Sequence, residues 1–191
     1  LFHGSNDTAG GWVLAGHANF ILDNLIADKK AVPMIVVMPF GHAVPFGSPK
    51  EIQAKNVELY EKYIFEDVMP LVHGKYRVEK SKAKTAIAGL SMGGGQSLAI
   101  GMNHMDTFSA IGAFSAAVPQ NIETKTDALE KANPLIWFAC GKDDSIFSRS
   151  AELDTKLTAA GVKHTWRPSG GAHTYTVWRQ YLAEFAPLLF R

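Results

Sequence analysis

A chain of 191 residues, 47% hydrophobic and 19% charged, with 19 Lys+Arg against 18 Asp+Glu and one cysteine, has the size of one globular domain. Folding at that length buries roughly 70% of the unfolded surface, enough for a core without disulfide or metal support. A net charge of +1 with no basic block gives no drive toward nucleic acid or anionic lipid, and Cys140 alone cannot form an internal disulfide.

Leu1-Phe2-His3-Gly4 has neither the basic nor the apolar region of a signal peptide. It reads as the end of a strand entered from outside the chain, so a fragment or processed form is expected. Apolar runs bounded by Gly, Pro, Asn or charged residues then alternate with segments of helical spacing. Phe20, Leu22, Leu25 and Ile26 predict a helix, Pro33 to Phe40 a strand, and Gly41 to Pro49 a loop. Lys50 to Lys62 reads as a mixed-charge helix face, within a helical pattern continued by Val57, Tyr60, Ile64, Val68 and Leu71. Lys84 to Leu90 predicts a strand and Gly94 to Asn103 a helix; Phe108 to Ala116 and Leu135 to Gly141 predict further strands around a surface excursion, Pro119 to Asn133. Leu153 and Leu157 mark a helix, Lys163 to Pro168 a last strand, and an apolar helix closes the chain. Such alternation predicts an α/β fold, a mostly parallel sheet flanked by helices. The longest run free of Asp, Glu, Lys and Arg, Thr85 to Asn103, is too polar and glycine-rich to span a bilayer.

Gly89-Leu90-Ser91-Met92-Gly93 is a G-x-S-x-G pattern between a strand and a helix. A nucleophilic serine on a strained strand-to-helix turn needs that context, because side chains at the flanking glycines would collide. The following helix offers N–H groups and its positive dipole end to a developing oxyanion. A serine hydroxyl also needs a base, and the base an acid, in the chain order Ser, acid, His. His164 and His173 are the histidines downstream of Ser91 with acidic residues between. His173 is favoured because it follows Ser169-Gly170-Gly171-Ala172, a loop after the last strand, whereas His164 lies within that strand. Asp143 and Asp144, after the strand ending at Gly141, are equally placed as the acid, and either could be an ordinary turn aspartate.

The oxyanion hole is expected from the N–H of Met92 and from the His3-Gly4-Ser5 loop, through Ser5 or Gly4, with His3 as a supporting residue. Trp12 and Phe46 fall in loops near the expected site, so core and substrate-contacting roles are both open. His17, His42, His73 and His104 lack metal-ligand spacing, and no dinucleotide or nucleoside-phosphate motif occurs, so neither metal nor cofactor is expected.

The elbow and its continuation GLSMGGGQSLAIGMNHMDTFSAIGAFSAA, with LFHG, NLIADKKAVPMIVVMP, ACGKDDS and SGGAHTYTVW, resembles carbohydrate esterase family 1. The likeness is closest to the feruloyl esterase modules of bacterial xylanases; acetylxylan esterases and the esterase D group share the framework. The resemblance implies an α/β-hydrolase fold over nearly the whole chain, with Ser91 as nucleophile, His173 as base, and Met92 and Ser5 at the oxyanion hole. Its Gly-x-x-Asp motif matches Gly141-Lys142-Asp143-Asp144 and selects Asp144. It implies a secreted serine esterase acting on feruloyl or acetyl esters of plant xylan. A small-acyl or S-formylglutathione hydrolase-like thioesterase and an inactive carbohydrate-binding scaffold are the alternatives. The family's N-terminal strands are missing, and the sheet edge this leaves is expected to be covered by an upstream segment or by a second copy in a homodimer.

Overall fold

Four short apolar runs pair into one parallel sheet in the computed structural model, which describes residues 1–45, 47–119, 122 and 126–191. The strands are β1 (Ala86–Leu90), β2 (Ala110–Phe114), β3 (Leu135–Gly141) and β4 (Thr165–Ser169), adjacent in chain order. Registers run Ala86 to Ala110, Ala110 to Leu135 and Trp137 to Thr165. Every residue of β2 is buried, as a central parallel strand covered on both faces must be. β4 is more exposed and carries Pro168, which an edge strand tolerates.

Helices α1 (Gly11–Leu14), α2 (Ala18–Ala27), α3 (Lys50–Gln53), α4 (Asn56–Tyr63) and α5 (Met69–Lys75) precede β1. A π-helical turn at Ile64–Val68 joins α4 to α5, just before Pro70, which has no N–H to donate to the helical ladder. Helices α6 (Met92–Asn103), α7 (Thr126–Ala132), α8 (Phe147–Ala159) and α9 (Tyr175–Phe185) follow. One face of the sheet packs Ile87, Ile111 and Phe138 with Tyr60, Leu98, Ile100, Leu153 and Leu157. The other packs Phe114 and Trp137 with Trp12, Leu22, Trp178, Tyr181 and Phe185. Each fully buried large apolar side chain contributes about 1.5–3 kcal/mol, so both layers clamp the sheet whose C-terminal ends carry the site.

The structure corrects one expected strand. Residues 33–40 have no strand pairing. A strand exists by its ladder, and here the Leu1 α-amine donates to Val37 O at 2.8 Å while a trough of about 680 Å³ separates the rest from β1. The trough is lined by Pro33–Val37 on one side and Thr85–Ala88 on the other. The β1 edge is not bare throughout, because Phe2 N–H donates to Ala88 O at 2.8 Å and Leu90 N–H to Phe2 O at 3.1 Å. The surface excursion contains α7, and part of it lies outside the described residues. No helix among the described residues is long and apolar enough to cross a membrane.

Candidate active site

Strand β1 turns into α6 at Ser91, whose backbone stands at φ 53°, ψ −117°. A non-glycine residue there costs about 1–3 kcal/mol and persists only where its surroundings hold it. Ser91 N–H donates to Phe114 O at 2.9 Å, and Ser91 O accepts from Gly95 N–H at 3.0 Å and Ala117 N–H at 2.9 Å. The glycines pack backbone on backbone: a Cβ at Gly93 would meet His3 O at 2.6 Å, and one at Gly95 would meet Ala117 O at 2.3 Å. The elbow motif is thus a close-approach motif in this chain.

Ser91 Oγ and His173 Nε2 are 2.9 Å apart, and His173 Nδ1 lies 2.7 Å from Asp144 Oδ2. A carboxylate only accepts, so Nδ1 carries the ring proton and donates to Asp144, and Nε2 is left to accept from the serine hydroxyl. The Asp144 side chain is fully buried and that of His173 is 35% exposed. Burial pushes the Asp144 carboxyl up, but the Ile146 N–H, His173 and Ser115 outweigh it and hold it below the usual carboxylate range. The His173 and Trp178 rings meet in a T-shaped pair with centroids 4.8 Å apart.

Asp143 has a different task. Its carboxylate accepts from Gly171 N–H at 3.1 Å, and its own N–H donates to Gly171 O at 3.1 Å, so it ties down the loop bearing His173. Gly141 lets that loop come close, since a Cβ there would lie 1.9 Å from Gly171 O. His164, the other candidate base, pairs with Asp154 at 2.9 Å and stacks on Phe138, apart from the serine.

Met92 opens α6, so its N–H has no carbonyl one turn earlier within the helix. Gly4 lies against the preceding residue: a Cβ there would be 3.4 Å from Ser91 Cβ, which brings the loop carrying Ser5 to the Ser91 side chain. Trp12 has no exposed surface and cannot touch a bound molecule in this conformation. It packs edge-on against Phe114 and Tyr175 and donates its Nε1–H to Phe2 O at 2.9 Å, a core position behind the loop. Phe46 lies outside the described residues.

Several contributors escaped the sequence reading. Tyr175 donates its hydroxyl to Asp7, tying the start of α9 to the loop after Gly4; burial first, then Asp7, raise the phenol above its usual range. Gln96, fully enclosed one turn into α6, and Asn56 reach Gly41 O at 2.9 and 3.5 Å. A large amide side chain directly after three glycines in the first turns of a buried helix is the signal that could have pointed to Gln96. Among the described residues no group of three or more His, Cys, Asp or Glu is arranged to hold a metal.

A parallel sheet wrapped by helices, with a strained serine after one strand and an aspartate and a histidine on the loops after two later strands, defines the α/β-hydrolase fold. The chain belongs to the Esterase family, which it matches over residues 1–189. It is 32% identical over 194 residues to an endo-1,4-beta-xylanase/feruloyl esterase of Xylanibacter ruminicola, covering 100% of this chain and 26% of that protein. The chain therefore spans about a quarter of that relative's length. A solved ferulic acid esterase superposes with a TM-score of 0.81 at 27% identity, over 98% of this chain and 81% of that one. A CE1 ferulic acid esterase from Anaeromyces mucronatus has a TM-score of 0.86 at 21% identity, over 99% and 77% of the two chains.

Proposed function

We propose that residues 1–191 form one serine esterase unit that hydrolyses feruloyl or acetyl esters on plant xylan. The observation that carries the reading is the continuous hydrogen-bond line Ser91–His173–Asp144, at 2.9 and 2.7 Å. His173 Nε2 takes the Ser91 proton as Oγ attacks the ester carbonyl, and the Met92 and Ser5 N–H groups hold the resulting oxyanion. Asp144 keeps the ring in the accepting tautomer and stabilises the imidazolium that forms. His173 then gives its proton to the departing alcohol, and water deacylates Ser91 by the same route. Feruloyl specificity rests on the xylanase/feruloyl esterase relative, and secretion is the matching expectation for an enzyme whose polysaccharide lies outside the cell.

Methyl ferulate, p-nitrophenyl acetate and acetylated xylan, offered to the parent protein and to Ser91→Ala, test the reading. The parent turns over at least one ester and reacts with a fluorophosphonate probe. Ser91→Ala loses about 10⁴-fold or more in kcat and is not labelled. Turnover by the variant within tenfold of the parent would remove Ser91 from its role. We also propose that the apolar trough beside β1 pairs two copies edge to edge. Light scattering across a dilution series checks this, and a monomer at every concentration refutes it.

A further inference from the structure

The peptide joining Gly4 to Ser5 is held from its carbonyl side. Gly4 O accepts from His3 Nδ1–H at 2.8 Å and from Asp7 N–H at 3.2 Å. In a trans peptide the C=O and N–H point in opposite directions, and no cis peptide occurs among the described residues. Fixing the Gly4 carbonyl therefore fixes the direction of Ser5 N–H. That peptide runs against the nucleophile, with a Cβ at Gly4 falling 3.9 Å from Ser91 Oγ.

His3 is itself gripped on its far side. The residue is 1% exposed, and its Nε2 accepts from Gly41 N–H at 2.8 Å. A backbone N–H can only donate, so Nε2 presents its lone pair and the proton sits on Nδ1, the tautomer that Gly4 O requires. Gly41 O accepts from Gln96 Nε2 at 2.9 Å. Gln96 is 1% exposed and stands on α6, the helix that begins at the nucleophile. Asn56 Oδ1 accepts from Ala43 N–H at 2.8 Å and Val44 N–H at 3.3 Å, which anchors the rest of the Gly41 loop.

Building on the esterase reading above, we propose that His3 and Gln96 are positioning residues for the oxyanion hole. They form a buried relay from Gln96 through Gly41 and His3 to Gly4 that aims Ser5 N–H at the substrate oxygen. The relay starts on the helix that supplies the Met92 N–H, so both donors are referenced to one rigid element. A ring that only filled space would need neither its proton nor its lone pair.

The two ends of the imidazole can be kept one at a time. In His3→Asn an amide N–H stands where Nδ1–H stood, so Gly4 stays held; in His3→Gln an amide oxygen replaces the Nε2 lone pair and the Gly4 contact is lost. With p-nitrophenyl acetate, His3→Asn is expected to keep kcat within tenfold of the parent. His3→Gln loses about 10²–10³-fold in kcat with KM within threefold, the pattern of a contact made only in the transition state. Equal losses in the two variants, or a better His3→Gln, would overturn the relay. Thermal melts establish that each variant is folded. If either is not, Gln96→Leu decides: a kcat about three- to tenfold lower at unchanged KM supports the relay, and an unchanged kcat overturns it. A parent protein that hydrolyses no ester would sink the esterase reading itself and the relay with it, a result distinct from the variant patterns.

Discussion

Gly141→Ala perturbs the site from beneath without touching any of its reacting atoms. The new methyl would lie 1.9 Å from Gly171 O and 2.7 Å from Gly171 C, whereas Cβ atoms essentially never come closer than 3.0 Å to another heavy atom. The Gly171 peptide must therefore retreat by about 1.1 Å, because Gly141, buried at the end of β3 and paired with Ser169, is held by the sheet. Gly171 is two residues from His173, and its N–H and C=O are the groups that Asp143 grips, so the displacement passes to the imidazole. A misplacement of about 1 Å at a reacting group costs about 10²-fold, and overpacking of this kind costs about 1–3 kcal/mol of stability. For a chain of this length that corresponds to about 2–4 °C in Tm per kcal/mol. Steady-state kinetics on p-nitrophenyl acetate, with a melt on the same sample, would record both effects. A variant with kcat within threefold of the parent and an unchanged Tm would mean that the loop has slack and that its contact with Gly141 does not set the histidine.

Asp144→Asn should lower kcat by about 10⁴, because an amide facing Nδ1 favours the wrong tautomer, whereas Asp143→Asn keeps an oxygen for Gly171 N–H and should lose less than tenfold; the ratio of the two kcat values is the readout. Stability should fall with acid in two stages. Burial holds His3 below its ordinary 6.5, so the unfolded chain takes up a proton before the folded one does, and stability declines as pH drops below 6.5 toward the folded value. Asp144 is held below its ordinary 3.8, so its contribution is present above 3.8 and is lost as pH falls through the folded value. Denaturant melts from above pH 6.5 to below pH 3.8 would trace both stages, and His3→Asn should flatten the first. A parent whose stability is constant across that range would refute the assignment.

What the sequence discloses is what lies close together along it. The elbow at Ser91 is five consecutive residues, and its strand-to-helix context is written on either side. His173 was legible from its place on a loop after the last strand, the end of the sheet where such folds put their sites. Spacing alone did not separate Asp143 from Asp144, and the Gly-x-x-Asp motif of the resembling family was needed to choose, because what distinguishes them physically is which side chain turns inward beside a histidine 29 residues away. The His3 relay spans 38 residues to Gly41 and 55 more to Gln96, and no local periodicity encodes it. Residues 33–40 have the composition of a strand, yet composition cannot supply the ladder partner that makes one. Trp12, expected in a loop, lies in the short helix α1, and only packing decides that its ring faces the core and not the site.

The glycines at 93, 94 and 95 also set a limit on engineering this scaffold for heat tolerance. In an isolated peptide, three successive glycines would forfeit about 1 kcal/mol each relative to alanine, so the first turn of α6 holds its shape because Phe2, His3, Ala116 and Ala117 crowd against it. The usual stabilising exchange of helical glycine for alanine is closed at these positions, since each methyl would press on backbone or on the side chains packed there. Gains in robustness have to come from surfaces remote from the elbow, because this turn of low helix propensity has no room for the residue that would improve it.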